Sequence, residues 1–228
     1  MRSIIALLAI SLVLVSCSKN DPVAPAEPVI KVPGKGSTYT FATYEIDENG
    51  DLVPGSEEQT TYSVVATGIV RAGKTGVWAI TSGPGGDTLF FSADNANDVW
   101  FQPYEDAEGP VFPWMRLPIT SGAPGRDSTT QQVDFNGIPA TATLIGSTKR
   151  IGPESVTVGS STISTQKIQV DLTYKISVLG MEETFTITTV MFYAPKLGFY
   201  AGLVTPPQVF NGEPAPGQAE ELTQYDVK

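Results

Sequence analysis

The residues able to do chemistry in this chain are few. It holds one cysteine, Cys17, and no histidine. Without histidine there is no Ser-His-Asp or Cys-His relay, no His-x-x-Glu-His zinc site and little basis for a transition-metal centre. Proton transfer would fall to carboxylates, Lys or Tyr. Thr165-Gln166-Lys167 sets a hydroxyl near a lysine, but in a segment that reads as strand. Ser-Lys chemistry uses a Ser-x-x-Lys pair on a helix. Glycoside hydrolysis needs two acids about 5–10 Å apart across a cleft, and most acids here sit in turn-like stretches. No catalytic residue is assigned, and the chain is expected not to be an enzyme.

Two acidic stretches have oxygen ligands of the kind calcium takes. In Asp47-Glu48-Asn49-Gly50-Asp51, an EF-hand loop would need glycine at its sixth position, which is Leu52. Asn49-Gly50 is instead a favoured hairpin dipeptide, so a turn is the preferred reading. Asp94, Asn95, Asn97 and Asp98 lie near Glu105, Asp106 and Glu108. Acidic loops are common in so acidic a chain, so neither metal nor cofactor is assigned. Phe90, Phe91, Trp100, Phe101, Tyr104, Phe112 and Trp114 crowd one quarter of the sequence. Aromatics among polar residues line apolar pockets or stack on sugars. Here they either fill a concave face as core, the preferred reading, or form a ligand-binding cap over it.

The one thiol stands at the end of a segment with three parts. Arg2 supplies a positive start, Ile4 to Val15 is apolar apart from Ser11, and small Ser16 precedes Cys17. Twelve helical residues span about 18 Å, short of the roughly 30 Å bilayer core, so the stretch is not a transmembrane helix. Leu14-Val15-Ser16-Cys17 resembles the lipobox of bacterial lipoproteins. The resemblance implies that the Cys17 sulfur becomes a diacylglyceryl thioether and that the mature N-terminus carries three acyl chains, enough to anchor stably. Ser18, rather than Asp, after the cysteine resembles the outer-membrane sorting pattern. Ser18-Lys19-Asn20-Asp21 is similar to a surface-export signal, from which Asn20 departs, so the periplasmic and surface faces both stay open.

Loss of the signal leaves about 212 residues, room for one β-rich domain with a sizeable core or two small ones. Net charge is −10 for the whole chain, and one unit more negative without Arg2. That argues against nucleic acid and against electrostatic attraction to anionic headgroups. With Cys17 acylated, no thiol is left for a disulfide or a metal.

Residues 17–36 read as the lipidated cysteine and a tether punctuated by Pro22, Pro25, Pro28 and Pro33. Residues 37–205 read as strands. Thr38 to Ile46 alternates with period two, with Tyr39, Phe41 and Thr43 on one face. Strands are expected near 62–71, 77–80, 88–92, 99–102, 115–119, 140–145 and 156–158. Ile163 to Val178 puts Ile168, Val170, Leu172, Tyr174, Ile176 and Val178 on one face. Gly180 turns it into a return strand, Thr184 to Tyr193, the strongest hairpin in the chain. Ala194-Pro195-Lys196-Leu197-Gly198 breaks the pattern before a last strand at 199–205. Residues 206–228 form a Pro/Gly-rich tail whose end, 217–227, is expected to be a short helix or disordered. With no amphipathic helix between strands, the fold class is all-β: one curved antiparallel sheet, a half-barrel or open barrel, with few or short helices.

Glu154-Ser155-Val156-Thr157-Val158-Gly159 through Ile168 resembles a strand-turn-strand motif, E-x-V-x-V-P-A-G-T-F-x-T-x-K-V, of uncharacterised envelope lipoproteins. Phe192-Tyr193-Ala194-Pro195-Lys196-Leu197-Gly198-Phe199-Tyr200 resembles their W-Y-A-P-G-V-G-L-V. Gly159-Ser160, Ser161 and Lys196 depart from those patterns. The resemblance covers 154–204 and implies a half-barrel sheet similar to that of periplasmic lipoprotein-carrier proteins. It supplies no catalytic residue.

The sequence thus reads as a membrane-anchored, outer-envelope lipoprotein that binds an apolar ligand, a lipid or an acyl chain, on a concave sheet. The alternative is a surface module binding glycan or an envelope protein through its loops. The Cys17 assignment has a direct check: Cys17→Ser should abolish incorporation of labelled palmitate in the producing cell, and label retained on the variant would contradict it.

Overall fold

Segments rich in Thr, Val, Ile and aromatics with period-two spacing favour pleated, half-buried strands, and strands are what form. The computed structural model describes residues 29–83, 86, 88–94, 98–103, 111–120, 123–135, 137–210 and 213–228. Among them there is no helix. The strands are β1 (Thr38–Ile46), β2 (Glu58–Arg71), β3 (Lys74–Thr81), β4 (Thr88–Ala93), β5 (Val99–Gln102), β6 (Met115–Leu117), β7 (Gly125–Phe135), β8 (Ile138–Val158), β9 (Ser161–Val178), β10 (Met181–Ala194), β11 (Phe199–Thr205), β12 (Gln208–Phe210), β13 (Glu213–Ala215) and β14 (Gly217–Asp226).

Twelve of them form one antiparallel sheet in the order β6-β5-β4-β3-β2-β1-β14-β11-β10-β9-β8-β7, and β12 and β13 make a separate hairpin. The expected all-β, curved architecture is therefore what the chain adopts, rolled until its two edges nearly meet. Thr148 Oγ1 on β8 donates to the Arg116 carbonyl on β6. Two glycines permit the approach. A Cβ on Gly146 would stand 2.2 Å from Met115 Sδ, and one on Gly125 would stand 2.7 Å from the Arg116 oxygen.

The long hairpin is as expected, and β8 runs through both segments anticipated at 140–145 and 156–158, with a bulge between Arg150 and Gly152. β7 was not expected. It is polar nearly throughout and pairs only with β8. The expectation for the chain's end is corrected: 217–227 is neither helix nor disordered. β14 lies inside the sheet, from Thr38↔Asp226 to Ile46↔Gly217 against β1, and Gly202↔Glu221 to Thr205↔Gln218 against β11. Its sequence hides this, because neighbours on both sides supply the hydrogen bonds and most of the apolar contact.

One pole of the barrel is filled. Trp78, Tyr39, Tyr193, Phe41, Phe91 and Phe199 are fully buried together. The 194–198 break becomes a turn clamped from within. Tyr39 Oη donates to the Leu197 carbonyl at 2.7 Å, and Trp78 Nε1 to that of Gly198 at 3.1 Å. From outside, Lys31 N donates to the Pro195 carbonyl at 2.8 Å. Gly198 has φ +66° with the Lys31 oxygen 2.2 Å from where a Cβ would be, so no other residue fits. Because β14 joins the two halves, a chain ending at Pro216 should lose cooperative unfolding. A sigmoidal thermal transition monitored by near-ultraviolet circular dichroism in that truncated chain would contradict this role.

Candidate functional site

The aromatic segment does not form one surface. Alternation along β4 and β5 sends Phe91 and Phe101 into the main core, where their rings lie 5.1 Å apart. Phe90 and Trp114 form a second cluster with Val77 and Ala79, and half-buried Trp100 packs against it. Arg71 stands 3.7 Å over the Phe90 ring, and Lys74 Nζ 3.2 Å over Trp100. Tyr104 lies outside the described residues, as do Cys17 and Asn95, Asn97, Glu105, Asp106 and Glu108 of the acidic stretch. Asp94 accepts from Trp100 Nε1 at 3.2 Å, and Asp98 pairs with Arg116. Asp47 caps its own turn, taking the Asn49 and Asp51 amides at 2.9 Å.

Phe112 goes elsewhere. Its ring meets Tyr174 edge-on at 5.4 Å, and Tyr174 stacks on Phe185 at 4.6 Å and 11°. Its backbone is held by side chains acting as strand partners. Gln102 Nε2 donates to the Phe112 carbonyl at 2.7 Å. Gln131 takes both backbone groups of Val111, donating at 2.7 Å and accepting at 3.3 Å. Residues 111–114 thus lie as a strap on one face of the long strands.

That face is apolar. Register places Leu144, Ala142 and Ala140 of β8 beside Tyr174, Ile176 and Val178 of β9, with Phe185 and Ile187 of β10 beyond. Its burial grades along the strand. Ile168 and Val170 are buried in the core, whereas Leu172, Tyr174, Ile176, Val178, Phe185 and Ile187 are only half buried. The opposite face carries threonine pairs, Thr130 with Thr143 and Thr173 with Thr186, at 3.0 and 2.8 Å. A half-buried apolar strip of this kind can hold a chain-like apolar ligand.

A second feature was not foreseen. Glu220 is 9% exposed and borders a cleft of about 540 Å³ lined also by Val156, Phe192, Leu203 and Leu222. Tyr200 Oη donates to its carboxylate at 2.9 Å, and Tyr62 Oη and Gln218 Nε2 each at 3.5 Å. Burial raises the Glu220 pKa from its ordinary 4.5, against the lowering effect of the two tyrosine hydrogen bonds. Burial likewise pushes the Tyr200 hydroxyl well up, with the Glu220 charge adding to it. The arrangement can store a proton and ties β2, β14 and β11 together. In sequence, Glu220 is one of two adjacent acids in a polar tail, and nothing there distinguishes it.

No protein-family model matches the chain. No curated protein sequence matches it either. Among solved structures it is similar to a "putative lipoprotein" from Parabacteroides distasonis ATCC 8503, with TM-score 0.42 and 11% identity over 85% of this chain and 96% of the other. It is also similar to a "putative exported protein with YmcC-like fold" from Bacteroides fragilis NCTC 9343, with TM-score 0.36 and 9% identity over 87% and 99%. At these scores the likeness is one of outline, and the functional reading rests on the chain's own residues.

The Glu220 environment fixes a pH dependence. Its folded-state pKa lies above 4.5, so the folded chain holds this proton more tightly than the unfolded chain does. Ionisation therefore opposes folding: the group's contribution is most favourable below pH 4.5 and declines as pH rises until the buried carboxyl has ionised. Glu220→Gln should remove that decline, gaining on the parent chain as pH rises through the window. Parallel stability–pH curves from urea unfolding of the two proteins would contradict it.

Proposed function

We propose that this chain is an acylated lipoprotein of the bacterial outer envelope that holds an apolar ligand, a lipid or an acyl chain, without catalysis. The observation that carries the reading is the apolar strip of Leu172, Tyr174, Ile176, Val178, Phe185 and Ile187. It continues the core outward yet is left half buried. Fully burying a side chain of this class contributes about 1.5–3 kcal/mol relative to exposure, so a strip left half open is one that a ligand can complete. The absence of histidine and the single thiol at Cys17 support the non-catalytic, anchored part of the reading.

The aromatic residues first considered for binding divide between roles. Phe112 borders the strip, while Phe91 and Phe101 serve the core. Two features weigh against the sugar-platform alternative: Lys74 covers the Trp100 ring, and Trp114 is 9% exposed.

Native mass spectrometry of the chain from Ser18, purified gently from its own envelope, should reveal a reproducible extra mass of lipid size. Tyr174→Ala, which removes the ring joining Phe112 to Phe185, should weaken retention roughly tenfold or more. A clean apo mass in the parent chain would overturn the reading.

A further inference from the structure

The β9–β10 hairpin turns through Leu179 and Gly180, with Val178 paired to Met181. Both turn residues have positive φ, 52° and 84°. This is the type I′ turn, whose first position favours Asn, Asp or Gly. A bulky L-residue there works against its own Cβ. The tight β2–β3 hairpin departs from the same preference with a small residue, Ala72 at φ 43°, before Gly73 at φ 80°. Elsewhere glycine takes the positive φ, Gly137 at 82° between β7 and β8 and Gly159 at 58° between β8 and β9. Leu179 is the bulkier departure of the two and is 78% exposed, beside Met181 at 69%. Backbone strain and apolar exposure coincide at one residue, and an outlier of that kind is a pointer to function.

The tip is continuous with the apolar strip. Val178 pairs with both Met181 and Ala140, and Ile138, 38% exposed, lies two residues before Ala140 on the same face. It also stands at a defined distance from the anchor. β10 runs 14 residues from Met181 to Ala194, about 43 Å at the usual rise. Ala194 adjoins Pro195, where Lys31 is held. The N-terminal segment therefore leaves the sheet at the pole opposite the tip. Fully extended, the chain from Lys31 back to Cys17 reaches about 48 Å, enough to let the tip turn to the surface that holds Cys17.

We propose that the Leu179–Met181 tip docks on the lipid surface of the membrane in which the acylated Cys17 sits, bringing the open end of the apolar strip against the bilayer. The proposal rests on the anchored, lipid-binding reading above, and the contact at the tip can be tested apart from it. Glu182 and Glu183 follow directly and are exposed, so the contact is apolar and suits zwitterionic rather than anionic lipid.

The test is flotation of the chain from Ser18, which keeps every strand, with phosphatidylcholine vesicles. Leu179→Asn restores the favoured turn residue, so its thermal midpoint should hold or rise while the vesicle-bound fraction falls roughly ten- to a hundredfold. Failure of the parent chain to float, or equal flotation of L179N, overturns the proposal. So does light scattering that reveals a dimer broken by L179N, which would make a second copy the occupant. A lipid adduct by mass spectrometry without flotation sinks the docking and leaves the cargo reading. Flotation without an adduct sinks the cargo reading and upholds the docking. On the acylated full chain, at most one copy per vesicle, nitroxide lipid should quench a fluorophore at Met181→Cys. Absence of quenching overturns the shared-membrane geometry.

Discussion

The structure depends on the pairing of β14 with strands from both halves of the chain. β1 to β6 form one meander and β7 to β11 another, and each would end in a long open edge. Such an edge exposes a row of unpaired amides and carbonyls. β14 closes both, bonding β1 along its whole length and β11 along four positions. The Tyr62–Glu220–Tyr200 hydrogen bonds cross the same seam at right angles to the strands, linking β2, β14 and β11. The carboxyl is buried, and its two tyrosine partners offset part of the penalty of taking it out of water. The clamp of Tyr39 and Trp78 on the 194–198 turn then has fixed strands on which to act.

The open strip follows from a mismatch of strand lengths. β3 to β6 have 8, 6, 4 and 3 residues, whereas β8, β9 and β10 have 21, 18 and 14. Where the two sets overlap, side chains from both fill the interior to exclusion of water. Beyond the short strands, the strap at 111–114 is the opposite wall that the described residues give the inner face of the long ones. The alternation of β9 nevertheless continues unchanged, so the sequence keeps supplying apolar side chains where the fold no longer supplies partners. Gly125 on β7 and Gly146 on β8 set how closely β6 seats on the long strands, and hence where the wall stops.

How far this was legible in the sequence depended on which face the information lay. β9 and β10 have one apolar and one polar face, and their strands, turn and inward residues were readable before any coordinates. β7 and β14 were not. Gly125 to Phe135 has few apolar residues because it is an edge strand, and Gly217 to Asp226 has few because its neighbours flank it on both sides. Pairing that depends on residues nearly two hundred positions away, such as Thr38 with Asp226, leaves no local period. The aromatic quarter is concentrated in the sequence, but its division between interior and second cluster depends on register, which composition does not carry. Leu179 was visible as a letter; its positive φ together with its exposure distinguishes it.

The two poles of the barrel are thus held by different physics. At the pole near Pro195, buried aromatic hydroxyl and indole groups meet backbone carbonyls, the N-terminal segment and Lys228 add bonds from outside, and the large aromatic side chains of the core are fully buried. At the other, threonine hydroxyl pairs and strand ladders hold the hairpins while the inner face stays half open. Opening free energies differ across a fold, and ligand-binding parts come from the weaker end. A chain stabilised at one pole tolerates an unfilled apolar face at the other. The polar threonine face limits sheet-to-sheet association on the outside of the long hairpins, whose exposed large apolar side chains Ile138, Leu179 and Met181 lie at the strip's open end. That placement suits this end of the molecule to a lipid, because the large apolar side chains exposed there among the described residues stand in line with the groove that would receive it.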